Sequence, residues 1–371
     1  MKQQSVLIVT SEFPPQPGGI GDHAYNLAYY LERSGYRVTV LADCRSDDGR
    51  EEQRFDAGLS FTVVRIPMSK RRFTMYLQRI RLYKELLQET NIVLASGKFS
   101  LWNVGFASGR FKGKKIAIVH GTEVNFSNKI LHASVNKALQ QFSKIIAVSN
   151  FTKGLLSKPL QEKTVVIPNG FNPNKWESHP EVGVRLTGSP KLITVGHVSP
   201  RKGQQEVIKL LPALQEQFPD ISYHCVGLPT GQQACETLAK ELDVFERVFF
   251  HGRVSNDTLY ALLQDSDVFV MLSTITGSGD VEGFGIALLE ANALGLPTIG
   301  ATGCGIEDAI DVGRSGFLVD LGDMEGFKQA LQQCMNDKDR LAVSAKEWAA
   351  KHDWERIIER YVGVIGEVHS K

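Results

Sequence analysis

Two carboxylates in this chain bracket a glycine-rich turn: Glu282 and Glu290. From Asp280 the sequence runs DVEGFGIALLEANALGLPTIG. Gly283 and Gly285, with Phe284 between them, keep bulk away from the point where a helix should start. Ile286, Leu289 and Ala293 are spaced as one apolar stripe. Gly295 stands where a C-cap glycine belongs, and Pro297 prevents the helix from continuing. A helix N-terminus built from small residues presents unpaired backbone N–H groups, here around Gly285, Ile286 and Ala287. The helix dipole strengthens their pull on an anion, so this end is a seat for a diphosphate. Glu282, just before the helix, and Glu290, about two turns into it, can accept hydrogen bonds from vicinal hydroxyls of a sugar or a ribose. The spacing alone is weak, because a buried amphipathic helix with two surface glutamates gives the same pattern.

Other residues invite chemistry. Arg201 and Lys202 follow the strand KLITVGH and precede Gly203. His120 ends the strand KKIAIVH, where a lone histidine is more often structural. Asp265-Ser266-Asp267 has a metal-binding look. Its setting, between a helix and an apolar strand, is explained more simply by capping and turn formation. Gly19-x-Gly21-x-x-Ala24, with Asp43 ending the second strand, is a loose dinucleotide fingerprint. Eight residues separate the first strand from Gly19, whereas a true fingerprint turns directly off the strand.

The elements that must position these residues alternate. SVLIVTSEF, YRVTVLAD, FTVVRI, NIVLAS, KKIAIVH, KIIAVSN and TVVIPNG read as strands. Helical spacing falls between most of them, at 21–34, 73–89 and 128–142. The stretch 171–190, rich in Pro, Asn, Gly and Ser, reads as a linker. The pattern then restarts with KLITVGH, ISYHCVG, RVFFHGR, DVFVMLS and PTIGA, with helices near 203–217, 232–242, 256–264, 285–294 and 324–335. The expectation is an α/β chain of two Rossmann-like, doubly wound domains, residues 1–172 and 188–352, with a final helix in 353–371 crossing back to the first. Ligands of such sheets bind at the carboxyl ends of the strands, so the cleft facing both domains is where a site is expected.

The segment from Glu282 to Glu290 resembles the signature of family 4 of the retaining glycosyltransferases, which have the GT-B fold. There a Glu, a Gly-Phe-Gly, a helix and a second Glu stand in this order. The resemblance continues through GCGIEDAIDVGRSGFLVD at 303–320 and runs in order from Gly18 to about Asp320. It implies that Glu282 contacts the transferred sugar and Glu290 the ribose, with Gly283, Phe284, Gly285, Ile286 and Ala287 around the donor. Lys202 resembles the lysine that clamps the donor diphosphate. The arginine usual five residues earlier is His197 here, with Arg201 as a neighbouring substitute. A histidine is fully charged only below a pKa that is ordinarily ~6.5. The resemblance also points to His120 under the donor sugar, to Gly18 and Gly19 near the donor phosphates and acceptor, and to Arg253 on the donor side. Ser149-Asn150 and Pro168-Asn169-Gly170 match recurrent family positions but are equally well explained as turn chemistry.

The implied reaction moves a hexose from a UDP- or GDP-sugar to a glycan or lipid-linked acceptor, with retention, in polysaccharide or glycolipid assembly. No metal and no cofactor is expected, and no nucleic-acid partner. Three alternatives stay open: a nucleotide-sugar epimerase of the same fold, a non-catalytic nucleotide-sugar binding protein, and the dehydrogenase of the loose fingerprint.

The bulk of the sequence is compatible with this. The chain has 371 residues, 42% hydrophobic and 22% charged, an ordinary globular composition. Five scattered cysteines without a Cys-x-x-Cys pair argue for a reducing cytoplasm. The short apolar run at the N-terminus reads as a strand rather than a signal peptide. Residues 1–170 carry 24 Lys and Arg against 13 Asp and Glu, while the remainder carries 18 against 28. Lys70, Arg71, Arg72, Arg79, Arg81 and Lys84 mark a basic helix that also carries Phe73, Tyr76, Leu77, Ile80 and Tyr83. Such a helix can lie on an anionic bilayer, and the resemblance, whose family includes many enzymes acting on lipid-linked acceptors at the inner membrane face, implies peripheral contact there. A core-facing helix with a solvated basic side is the plainer alternative.

Overall fold

Long runs of β-branched and aliphatic residues without polar alternation can be satisfied only by strands buried on both faces, which is the situation of a parallel sheet between helices. The computed structural model, which describes residues 3–68, 72–109, 111–177 and 183–367, contains two such sheets. The chain divides into two compact units. One comprises the residues up to Gly170 and those from Trp354 onward; the other runs from Phe171 to Asp353.

The first unit has seven strands: β1 (Ser5–Thr10), β2 (Arg37–Asp43), β3 (Thr62–Ile66), β4 (Ile92–Ser96), β5 (Lys114–Val119), β6 (Lys144–Ala147) and β7 (Thr164–Val166). Their order is β3-β2-β1-β4-β5-β6-β7, and the pairs are parallel. β1 is buried along its whole length. Leu7, Val9, Leu41, Val93, Leu101, Val135 and Leu139 belong to one apolar cluster, each such side chain contributing about 1.5–3 kcal/mol by leaving water. The helix Lys98–Ala107 was not expected. Its sequence, KFSLWNVGFA, is apolar almost all round and carries no helical stripe to read. Gly105 lets it approach the helix Lys129–Leu139, since a Cβ there would lie 2.8 Å from that of Ala138. The helix Trp354–Glu367 returns to this unit and packs on the helix Gly19–Arg33. Gly170 makes room for the Trp354 ring, which a Cβ would meet at 2.9 Å.

The second unit has six strands: β8 (Lys191–Val195), β9 (Ser222–Val226), β10 (Val248–Gly252), β11 (Val268–Met271), β12 (Thr298–Ala301) and β13 (Gly316–Val319). The order is β10-β9-β8-β11-β12-β13. The beginning of the expected linker is ordered and belongs here. Phe171 pairs with Asp353, and Pro173–Trp176 form a short 3-10 helix. The sequence concealed this because Pro and Asn favour such turns and loops alike.

In each sheet the strand order reverses at one place, between β1 and β4 and between β8 and β11. Loops leaving the carboxyl ends of those strands diverge to opposite faces and leave a crevice where ligands of open α/β sheets bind.

Candidate active site

In the second unit the crevice at β8 and β11 is occupied by Lys202. After β8 the chain passes through Gly196 to a 3-10 turn, Pro200–Lys202, and then Gly203. Gly203 caps the helix Gln204–Gln215 in a left-handed conformation, φ 75° and ψ 21°. An added Cβ would sit 1.8 Å from the Leu272 carbonyl oxygen, so only glycine lets this turn lie against the end of β11. Gly196 in turn leaves room for the stem of Lys202, whose Cε would be 3.0 Å from a Cβ there. The Lys202 ammonium reaches 3.8 Å from Met271 Sδ, at the end of β11.

Lys202 and Arg201 converge on one carboxylate. Lys202 Nζ is 2.8 Å from Glu282 Oε2, and Arg201 Nη1 donates to the same oxygen. Arg201 Nε also lies 3.3 Å from Asp280. Burial alone would raise the Glu282 pKa, but Lys202 and then Arg201 outweigh it and hold the carboxyl below its usual value. Of the two residues considered as partner for Lys202, the fold brings Arg201. His197 is exposed, and its carbonyl accepts from Gln204 Nε2 at 3.1 Å.

Glu282 leads directly into the helix Ile286–Ala293. Gly285 is its N-cap, with φ 92° and ψ 61°. The backbone of Gly283 is covered by Gly305, where a Cβ would strike the Gly283 carbonyl at 2.0 Å. Gly305 N–H donates to the Glu282 carbonyl at 2.9 Å. Ile286 and Ala287 are half-buried. Two expectations are corrected here. The Phe284 side chain is 1% exposed and its ring packs against His352, so it serves the core and leaves only backbone to a ligand. The buried side of the helix is Leu288, Leu289, Ala291 and Asn292, not the stripe of Ile286, Leu289 and Ala293, because the helix is covered on more than one face. Gly295 does take the left-handed conformation that ends it, φ 81°.

Glu290 faces a residue that the sequence did not single out. Lys175 Nζ is 2.6 Å from Glu290 Oε1, and Trp176 Nε1 donates to the Glu290 backbone carbonyl at 3.2 Å. Arg253 is exposed just beyond the end of the edge strand β10, two strands away from β8.

In the first unit the glycines after β1 start the helix Gly19–Arg33, with Gly18 as N-cap. A Cβ on Gly18 would lie 2.5 Å from Glu12 Oε2, whereas Gly19 faces open space. The tight approach to backbone is made by Gly21, at 3.2 Å from Phe13 N. His120, after β5, shares a 2.9 Å hydrogen bond between Nε2 and Ser96 Oγ at the end of β4. Its ring meets that of His23 edge to face at 5.0 Å, and His23 Nε2 is 2.9 Å from the Tyr361 hydroxyl. Desolvation lowers the His120 pKa to about 4, so the imidazole is neutral at ordinary pH. Glu123, passed over in the sequence, is buried and accepts from the His120 backbone N–H. Burial raises the Glu123 pKa to about 7.

Several other readings are decided by partners. Asp43 is engaged by Arg79, at 2.5 Å between Oδ2 and Nη2, which removes it as a ribose ligand. Arg79 is thereby withdrawn from the basic helix, Arg72–Leu86, that it was expected to extend, because it turns inward to a buried carboxylate. The exposed side of that helix mixes Phe73, Tyr76 and Leu77 with Arg81 and Lys84. Lys70 and Arg71 lie outside the described residues, as does the side chain of Arg72. Asp265 accepts from Leu186 N–H at 2.6 Å and Asp267 from Lys191 N–H at 2.8 Å, so both tie loops to the sheet. Ser149 caps the helix Asn150–Gly154 through Thr152 N–H. Among the described residues no group of three or more His, Cys, Asp or Glu is arranged to hold a metal ion. No described helix is long and apolar enough to cross a membrane.

With this geometry in hand, comparison with known proteins is informative. Residues 17–175 match the family model described as Glycosyltransferase Family 4, and residues 176–352 match that described as Glycosyl transferases group 1. The chain is 28% identical over 361 residues, 93% of either chain, to the GDP-mannose-dependent alpha-(1-6)-phosphatidylinositol monomannoside mannosyltransferase of Mycolicibacterium smegmatis. It is 28% identical over 262 residues, 68% of this chain and 64% of the other, to a putative colanic acid biosynthesis glycosyltransferase of Escherichia coli. Among solved structures, Anabaena HepE in complex with UDP and glucose superposes with a TM-score of 0.78 at 18% identity, covering 98% of this chain and 100% of that one. Sucrose-phosphate synthase of Thermosynechococcus elongatus gives 0.79 at 18% identity, covering 99% and 100%. Two Rossmann-like units matched in sequence order by these two models make this chain a member of the family-4 glycosyltransferases, with the GT-B fold.

Proposed function

We propose that this chain transfers a hexose from a nucleotide diphosphate sugar to a glycolipid or lipid-linked glycan, with retention at the anomeric carbon. The observation that carries the proposal is the convergence of Lys202 and Arg201 on Glu282 beside the N-terminus of the helix Ile286–Ala293. A departing diphosphate needs its charge neutralised as the bond to the sugar breaks. Two cations and a helix N-terminus supply that without reorganisation. The carboxylate of Glu282, kept ionised by the same cations, is suited to hydroxyls of the transferred sugar. Lys202, Arg201 and Glu282 thus act on the reacting group. Gly283, Gly285, Ile286 and Ala287 offer backbone to the phosphates, and Glu290 holds the ribose. In the first unit His120 is neutral and bonded to Ser96, and Gly18 and Gly19 start the helix there; their assignment to the donor rests on the family resemblance.

The motifs offer no obvious enzymic nucleophile. In the proposed step the bond from the anomeric carbon to the diphosphate oxygen breaks and a bond to the acceptor oxygen forms on the same face. The acceptor proton passes to the released diphosphate. Relatives whose names specify GDP-mannose and phosphatidylinositol mannosides make GDP-mannose the first donor to offer and an inositol glycolipid the first acceptor. The mixed apolar and cationic surface of the helix Arg72–Leu86 suits peripheral contact with an anionic bilayer.

The test is a panel of GDP-, UDP- and ADP-sugars with and without short-chain glycolipid acceptors, followed by release of nucleoside diphosphate and by NMR of the product linkage. An α-linked product from an α-linked donor, formed after EDTA treatment, is expected. An inverted product overturns the retaining step. Activity recovered from zero only by manganese overturns metal independence. Free isomerised sugar without acceptor overturns transfer in favour of epimerisation.

A further inference from the structure

Glu290 is held from two sides by a segment that the sequence presents as linker. Lys175 takes one carboxylate oxygen at 2.6 Å, and the two side chains are only 28% and 17% exposed. Trp176 takes the backbone carbonyl of the same glutamate at 3.2 Å. The partners are 115 residues apart in sequence, so the arrangement is made by the fold.

Lys175 is itself fixed. Its 3-10 helix is capped by Asn172, whose side chain accepts from Asn174 N–H at 3.1 Å. The preceding Phe171 N–H donates to the His352 carbonyl at 3.0 Å. The Lys175 ammonium lies 4.9 Å from the centroid of the Trp176 ring, and that ring rests against Tyr260 at 6.0 Å. An exposed lysine balancing a helix glutamate is mobile and contributes little. This one is partly buried and anchored on both sides in the chain. A carboxylate pinned through one oxygen is fixed in rotamer, and its other oxygen is then aimed rather than free to rotate.

We infer that Lys175 is a positioning residue that sets Glu290 to read a vicinal diol, the ribose of the donor nucleotide, and so makes the site discriminate ribonucleotides from deoxynucleotides. This rests on the reading of Glu290 as the ribose-binding carboxylate. Hydrogen bonds to a charged partner contribute about 1.5–3 kcal/mol each, so a ribose diol held this way is preferred by roughly 10–100-fold over a deoxyribose.

The experiment is isothermal titration of GDP and UDP against their 2′-deoxy and 3′-deoxy counterparts. The proteins are the wild type, Lys175→Met, Lys175→Arg, Glu290→Gln and the Lys175→Met/Glu290→Gln double variant. The wild type and Lys175→Arg are expected to prefer the ribonucleotide. Lys175→Met and Glu290→Gln are expected to lose most of that preference, each binding the deoxynucleotide about as the wild type does, and the double variant to lose no more than either single one. If Glu290→Gln loses the preference and Lys175→Met keeps it, the inference falls and the ribose reading stands. If the wild type shows no preference, the ribose reading falls and the inference with it. Lys175→Gln, which retains a neutral hydrogen-bond donor, is judged the same way should thermal melting show Lys175→Met unfolded.

Discussion

Replacing Gly203 by alanine tests how Lys202 is held. The residue has φ 75° and ψ 21°, a left-handed conformation that costs an L-residue roughly 1–2 kcal/mol. That strain is shared by Gly313, with φ 77°, where an added Cβ meets nothing within 4 Å. At Gly203 the Cβ would also lie 1.8 Å from the Leu272 oxygen and 2.3 Å from its carbonyl carbon. Both are backbone atoms just past β11 and cannot swing aside as a side chain would. An ordinary carbon–oxygen contact is longer by well over an ångström, so the turn carrying Arg201 and Lys202 must move as a whole. Overpacking of this kind costs about 1–3 kcal/mol beyond the conformational strain. Gly203→Ala should therefore lose about 2–5 kcal/mol in urea unfolding, and Gly313→Ala about 1–2. The displaced lysine should also weaken nucleoside diphosphate binding at least several-fold in Gly203→Ala alone. Equal unfolding midpoints for the two variants, with unchanged diphosphate affinity in both, would refute the reasoning.

The remaining predictions concern charge. Burial raises the Glu123 pKa to about 7, above its unfolded value, so ionising it costs folding free energy as pH rises between roughly 4.5 and 7. Glu123→Gln escapes this and should gain on the wild type by up to about 3 kcal/mol over that interval. A stability difference independent of pH in parallel urea titrations counts against the buried acid. Arg79→Met leaves the Asp43 carboxylate buried without its guanidinium and should cost about 3–5 kcal/mol at neutral pH. The loss should shrink in acid as Asp43 takes up a proton, and chemical unfolding at two pH values reads it. His197→Arg, which restores the arginine usual at that family position, is expected to preserve or raise turnover; a large fall in kcat would count against a diphosphate clamp at residue 197.

What the sequence carried by itself was whatever depends on short range. Alternating apolar runs and helical stripes located most of the strands and helices, because burial on both faces of a parallel sheet forces continuous apolar runs. The turn from Glu282 to Gly285 and the C-cap at Gly295 were legible because glycine is the residue for such backbone conformations. The helix Lys98–Ala107 escaped because it is apolar on nearly every face, the exposed Phe99 and Phe106 included, which erases the stripe that announces a helix. The tertiary structure alone decided the partners of charged groups. Arg79 reads as a surface cation until the fold sets it against Asp43. Arg201 reads only as a neighbouring substitute for His197 until the turn at Gly203 carries it, with Lys202, to Glu282. Lys175 lies in a stretch with every mark of a linker, and nothing local ties it to a glutamate 115 residues away. The glutamates could be found from spacing and resemblance. Which cations hold them could not, since electrostatic pairing acts through space at a few ångströms and leaves no period in the sequence.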